Sequence, residues 1–116
     1  MLKKEFRLKK RYQFNYTYKN AVSFGARHMV ICFTKSSNKN IKIGLAVTKK
    51  VGKAVVRNQI KRRIRSAIAP LLISLKPNYN LIVVARPNIV EANFHEIESE
   101  LKYLLKKASL LNEESN

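Results

Sequence analysis

Carboxylates are nearly missing from most of this chain. Glu5 is the only acid before Glu91, and residues 6–90 hold nineteen Lys and Arg with no carboxylate among them. Over all 116 residues, 24 Lys and Arg stand against seven acids, a formal charge of +17. Such a surface cannot neutralise itself with internal ion pairs, so it repels itself and attracts polyanions. Counterion release from a phosphate backbone is the natural compensation. A charge that served only solubility would intersperse both signs. Nucleic acid, and RNA in particular, is the expected partner; an anionic membrane surface is the main competitor.

Other absences narrow the class. Cys32 is the single cysteine, which excludes an internal disulfide and fits a reducing cytoplasm. No stretch approaches the ~20 apolar residues of a membrane span. The opening MLKKEFRLKKRY lacks the apolar run and small-residue cleavage site of a signal peptide. A cytoplasmic protein without a membrane partner is therefore expected. Three Gly and three Pro act as punctuation, with no repeat, low-complexity segment or linker between them. Hydrophobic residues make up 46%, enough for a modest core rather than a disordered tail. A single RNA-binding domain over 1–116 is expected, with a basic N-terminal tail at 1–10 and a short flexible C-terminal tail at 111–116.

Residues 11–22, RYQFNYTYKNAV, set Phe14, Tyr18 and Ala21 or Val22 at helical spacing. Residues 28–34, HMVICFT, form a β-favouring run before the polar turn Ser36, Ser37, Asn38. Residues 41–48 predict a second strand or two short ones. The segment 53–69 reads as a helix ended by Pro70, and YNLIVVAR at 79–86 as a buried strand between Pro77 and Pro87. A last helix is expected from about Glu91 to Leu110. Its apolar positions Phe94, Ile97, Leu101, Leu104 or Leu105, and Ala108 follow the helical period. Glu91, Glu96, Glu98 and Glu100 in its first half and Lys102, Lys106 and Lys107 in its second suit the macrodipole, with Glu98–Lys102 as an i,i+4 pair. The order is α-β-β(β)-α-β-α, an α+β sandwich with helices packed on a small sheet.

The most informative segment is KKVGKAVVRNQIKRRIR, residues 49–65, in which eight of seventeen residues are basic and none is acidic. With Arg57 at zero and ~100° per residue, Arg57, Lys61, Arg65, Asn58 and Arg62 fall within an arc of about 140°. Val56, Ile60, Ile64, Ala67 and Ile68 occupy the adjacent arc. One face docks on the sheet; the other presents guanidinium and ammonium groups with an amide among them. Rows of Arg bind phosphate bidentately, and Asn58 adds hydrogen bonds to sugar or base edges. Gly52 permits close backbone approach, and the N–H groups at the helix start favour an anion. Along 11–22, Phe14 and Tyr18 are i,i+4 neighbours, with Tyr12 and Tyr16 as a second pair. Aromatics beside basic residues hold single-stranded nucleic acid, yet such a stripe equally suits a core.

No site for catalysis by the protein itself emerges. His28 and His95 lie far apart and neither shows metal-ligand spacing. Cys32 sits in an apolar strand as an inert thiol, and the basic core offers no carboxylate for Mg²⁺. A nuclease acting alone is therefore disfavoured.

The string KVGKAVVRNQIKRRIR resembles the signature of the bacterial ribonuclease P protein subunit: a lysine-rich turn, a glycine, a helix opening on Ala-Val, an Arg-Asn-Arg core and a basic run. Lys50, Gly52, Ala54, Val55, Arg57, Asn58, Lys61, Arg62 and Arg65 match it. The resemblance extends to RLKK at 7–10, the aromatic first helix, IGLAVTKK at 43–50 and LIVVAR at 81–86. Three positions depart from the pattern. Gln59 stands at the second Arg of the core, Lys53 stands where Asn is common and would cap better, and Cys32 stands at a usual cleft aromatic. Phe33 lies beside Cys32, but a one-residue shift on a strand reverses the face.

The resemblance implies a two-layer α/β sandwich of order α-β-β-β-α-β-α, as in several ribosomal and translation proteins. Its βαβ crossover from 43–48 through the basic helix to 81–86 would be left-handed, against the general rule. It implies a ribonucleoprotein endonuclease whose catalytic RNA subunit, with Mg²⁺, removes the 5′ leader of precursor transfer RNA. The protein would hold no cofactor or metal alone and require no protein partner. Lys49, Lys50, Lys53, Arg57, Asn58, Lys61, Arg62 and Arg65 would bind RNA, and Arg11, Phe14, Tyr18 and Cys32 would line a leader-binding cleft. The rival reading is a ribosomal or other structural RNA-binding protein.

The charge excess also bears on folding, because compaction at low salt works against self-repulsion. Sulfate or phosphate, by binding the native state, should raise the melting temperature followed by circular dichroism at constant ionic strength. A melting temperature indifferent to millimolar sulfate would count against a native anion site.

Overall fold

The structure is a computed structural model and describes residues 3–112. Helix α1 spans Arg11–Asn20, strands β1, β2 and β3 span Val22–Gly25, Met29–Lys35 and Lys42–Ala46, helix α2 spans Ala54–Ile68, strand β4 spans Tyr79–Ala85 and helix α3 spans Phe94–Lys107. The element order is therefore α-β-β-β-α-β-α.

One four-stranded sheet runs β1-β2-β4-β3, with β3 and β4 parallel and the other pairs antiparallel. The parallel pair needs a crossover, and α2 is that crossover. Strand β4 is central because its side chains suit burial on both faces: Leu81, Ile82 and Val83 have no exposed surface. Alternation then divides the sheet. Met29, Ile31, Ile43, Leu81 and Val83 point into the main core with α2 and α3. Cys32 and Ile82 point to the opposite face, where they pack with Leu8, Phe14, Ala21, Val30, Ala46 and Val84.

Each helix has a local cause. Gln13 Oε1 accepts from the Lys9 and Lys10 backbone N–H groups at 3.1 and 3.0 Å, closing the start of α1. In α2 the spacing of Ile60, Ile64, Ala67 and Ile68 puts all four in the core, and Pro70 opens the 3-10 turn Ala69–Ser74 that follows. Asn93 and Glu96 form a reciprocal capping box at the start of α3, each bond 2.9 Å.

Several expectations are corrected. The additional strand is Val22–Gly25, not a division of residues 41–48. Ala21 is already extended, and Val22 and Phe24 pair with Phe33 and Ile31, where β-branched and aromatic side chains favour the sheet over another helical turn. Residues 91–93 precede α3, since Pro87–Glu91 forms a 3-10 turn; Phe94 is 41% exposed rather than core. Residues 3–10 are more than a tail: Leu8 is buried and donates its N–H to the Ile43 carbonyl at 2.9 Å, lying along the outer edge of β3. At the other end Leu111 bridges to Leu75, and residues 113–116 lie outside the described residues. Glu98 pairs with His95 rather than Lys102. Glu100 is no free surface charge either: it pairs with the buried His28 ring and accepts the His28 backbone N–H at 2.9 Å, pinning the β1–β2 turn to α3.

A buried polar chain fixes α1 to the sheet. Thr17, fully buried, donates to the Gln13 carbonyl at 2.8 Å and accepts from Asn80 Nδ2 at 3.2 Å. Asn80 Oδ1 in turn accepts from Asn38 Nδ2 at 3.0 Å. Thr17→Val keeps the shape of the side chain but strands the Asn80 amide. Urea unfolding should show a loss of about 1–3 kcal/mol, the cost of an unsatisfied buried donor. An unchanged midpoint would mean that this chain of bonds is not what holds α1 in place.

Candidate nucleic-acid interface

The outer face of α2 follows from its sequence. Once the aliphatic stripe is committed to the core, Asn58 and Arg62 are left exposed and Lys61 and Arg65 half-buried. A cavity of about 260 Å³ runs along this face between Asn58, Lys61, Arg62, Arg65 and Ser66. Half-burial suits phosphate recognition, because the aliphatic stems are held while the charged heads remain in water. Arg57 differs from the others: its Nε–H donates to the Gly52 carbonyl at 3.1 Å, tying the helix to the preceding turn. That turn needs its glycine, with φ at +155°. Lys49, Lys50 and Lys53 are exposed around it, and Lys53 makes no side-chain cap. Gln59 is exposed about 60° beyond Arg62 on the helix, so the departure from the family core removes a charge beside the row rather than within it.

On the other face of the sheet, α1 covers only part of the apolar surface. The Phe14 ring lies directly on Gly44, where any Cβ would collide with it. Tyr18 stands 6.4 Å from Phe14 between ring centres, tilted by 45°, and remains 45% exposed. Burial, and secondarily the neighbouring Cys32, push the Tyr18 phenol above its ordinary pKa, so it keeps its proton and its donor at neutral pH. Cys32 lies on this same face but is only 8% exposed, receiving the Ser23 hydroxyl at 3.4 Å. Phe33 points the other way and packs with Phe24 and Tyr79 at 6.0 and 6.3 Å. It therefore does not replace a cleft aromatic. Arg11 is exposed at the start of α1, one turn before Phe14.

The two expected sites are continuous. A cavity of about 200 Å³ at the β3 edge is lined by Arg7, Leu8, Lys9 and Phe14 on one side and by Lys61 and Arg65 on the other. Arg7 and Lys9 escaped the sequence reading, although the alternation Arg7, Leu8, Lys9 is the signal of a strand-like segment with its apolar residue turned inward. Lys9 is crowded: loss of hydration, then the charges of Lys4, Arg7, Lys42 and Lys10, lower its pKa. A phosphate placed there would relieve that repulsion. Among the described residues no three or more His, Cys, Asp or Glu gather as a metal site, and no helix is long and apolar enough to cross a membrane.

Known proteins match over nearly the full length. The family model for ribonuclease P covers residues 2–109. The ribonuclease P protein component of Oceanobacillus iheyensis is 38% identical over 99% of this chain and 96% of its own. The RNase P protein of Staphylococcus aureus has 30% identity and a TM-score of 0.85 over 92% of this chain and 98% of that one. That of Thermotoga maritima has 27% identity and a TM-score of 0.79 over 87% and 96%.

Alanine at Lys61, Arg62 or Arg65 should weaken RNA binding and flatten its salt dependence. Each lost phosphate contact should reduce the magnitude of the log–log slope by about 0.7–0.9. Arg57→Ala should in addition loosen the turn that Arg57 ties. Unchanged slopes at all four positions would assign this face to solvent.

Proposed function

The chain belongs to the ribonuclease P protein family, and from that premise we propose that it is the protein subunit of a ribonucleoprotein endonuclease that removes the 5′ leader of precursor transfer RNA. Its partners in this reading are a catalytic RNA subunit and the precursor. The observation that carries it is the continuity of the half-open face under α1 with the cationic row of α2 across the β3 edge. A leader held against Phe14, Tyr18 and Arg11 would then run directly into residues that grip RNA phosphates. Cys32, beneath this surface, contributes shape more than contact. Lys49, Lys50, Lys53, Arg57, Asn58, Lys61, Arg62 and Arg65 would bind the RNA subunit.

The chemistry would belong to Mg²⁺ held by the RNA. In this reading the chain's own part is to bind and orient the RNA. A cytoplasmic location follows from that role. The ribosomal reading shares the charge but gives no reason for a half-open aromatic face.

Reconstitution tests this. RNA-free protein should leave precursor transfer RNA intact, whereas adding the cognate RNA subunit and Mg²⁺ should release the leader; cleavage by the protein alone would overturn the assignment. Tyr18 is the cleaner cleft probe, since Phe14 is also half-buried packing. Tyr18→Ala should weaken precursor binding by roughly five- to a hundredfold, as expected for one lost stack, while leaving mature transfer RNA and the thermal melt nearly unchanged. Equal losses for precursor and mature forms would remove the leader from this face.

A further inference from the structure

Helix α1 carries two aromatic pairs, and only Phe14 and Tyr18 face the cleft side. At ~100° per residue, Tyr12 and Tyr16 lie roughly 120–160° around the helix from Phe14 and Tyr18. They are 67% and 53% exposed, so they are not core. They form a cavity of about 350 Å³, with Tyr12, Gln13 and Tyr16 on one wall and Ser36, Ser37 and Asn38 of the β2–β3 turn on the other.

The hydrogen bonds leave this cavity with unspent polar groups. Gln13 Oε1 is occupied by the Lys9 and Lys10 N–H groups, so its NH₂ points elsewhere and donates to no described residue. Asn38 Nδ2 is occupied by Asn80, so its Oδ1 is the free end of that amide, again with no described donor. One amide donor and one amide acceptor therefore remain beside two exposed rings. Both amides are held: Asn38 through Asn80 and through the Asn78 side chain on its carbonyl, Gln13 through the start of α1. Arg11, Lys35 and Lys39 flank these segments in sequence, all exposed, and no carboxylate occurs nearby in the chain.

Rings for stacking, a fixed donor and acceptor for a heterocycle edge, and cations for a phosphate backbone together fit an unpaired nucleobase. We propose that Tyr12, Gln13, Tyr16 and Asn38 form a second nucleobase site on the flank of α1 opposite the cleft, taking an unpaired base of bound RNA. The proposal rests on the reading of the chain as an RNA-binding subunit but is independent of the cleft. The helix would then hold RNA on both flanks, with buried Thr17 as its anchor to the sheet between them.

The test uses the full chain with oligouridylate and with an abasic ribose-phosphate oligomer of equal length, affinities being read by fluorescence anisotropy. Tyr12→Ser combined with Tyr16→Ser should weaken oligouridylate binding roughly five- to a hundredfold, the range for one stacked base. The same variant should bind the abasic oligomer as the parent does. Tyr12→Phe with Tyr16→Phe should retain affinity, and thermal melts of both should match the parent because the rings are exposed. A 4-thiouridine oligomer should photo-crosslink to the peptide containing Tyr12 and Tyr16. Parental oligouridylate affinity in the Ser variant, with affinity lost in Tyr18→Ala, would overturn this site and leave the cleft standing. A parent chain that binds neither oligomer would overturn both.

Discussion

One short helix has to cover a whole sheet face, and the rest of the arrangement depends on how it does so. The face opposite the main core is apolar at its centre, with Ile82 fully buried and Cys32 nearly so, yet beyond Leu8 only the ten residues of α1 lie on it. Two features seat the helix. Gly44 omits a side chain where the Phe14 ring comes down, and Thr17 finds in Asn80 a polar partner inside an otherwise apolar contact. Because α1 is both short and fixed, the sheet beside it stays half-open toward Val30, Ala46 and Val84. An apolar strip bounded by cations is poorly hydrated and poorly neutralised, so a stacked base with its phosphate answers both deficits.

The opposite face carries no such compromise. Helices α2 and α3 bury its centre, with Ile31, Leu81 and Val83 fully enclosed, and α2 commits its aliphatic stripe there, which leaves cations on its outer arc. Position on the helix thus decides which Arg and Lys become a row: Arg62 and Arg65 by exclusion from the core, Arg57 partly withdrawn to hold its own turn. The same turn explains why the poor cap Lys53 is tolerated, since the Arg57 bond and Gly52 secure the helix entry.

Much of this was legible in the residues. The helical period of Ile60, Ile64 and Ile68 placed α2 and its charged arc correctly, and Pro70 marked its end. The strand parity of Cys32 and Phe33 alone assigns them to opposite faces. What could not be read was long-range. Val22–Gly25 is too short to show an alternating pattern and becomes a strand only through its pairing with Ile31 and Phe33. Leu8 looked like part of a charged tail because its burial depends on the free edge of β3. Phe94 obeyed the helical period, yet it sits in the first turn, beyond the reach of the core. The partnerships of His28 with Glu100 and of Thr17 with Asn80 span 72 and 63 residues, and no local spacing encodes them.

The gathering of all acids but Glu5 beyond residue 90 has a consequence at a distance. Glu91, Glu96, Glu98 and Glu100 lie just before or early in α3, behind the sheet from α1, while Lys and Arg are spread over the other elements. An uneven distribution of this kind lets the field of a polyanion exert a torque as well as a pull, which disfavours approaches that present the acidic start of α3. That alignment acts over roughly one screening length, about 8–10 Å at ordinary ionic strength. Encounters would begin already oriented, so the distribution of so few carboxylates governs how quickly a productive pose is found.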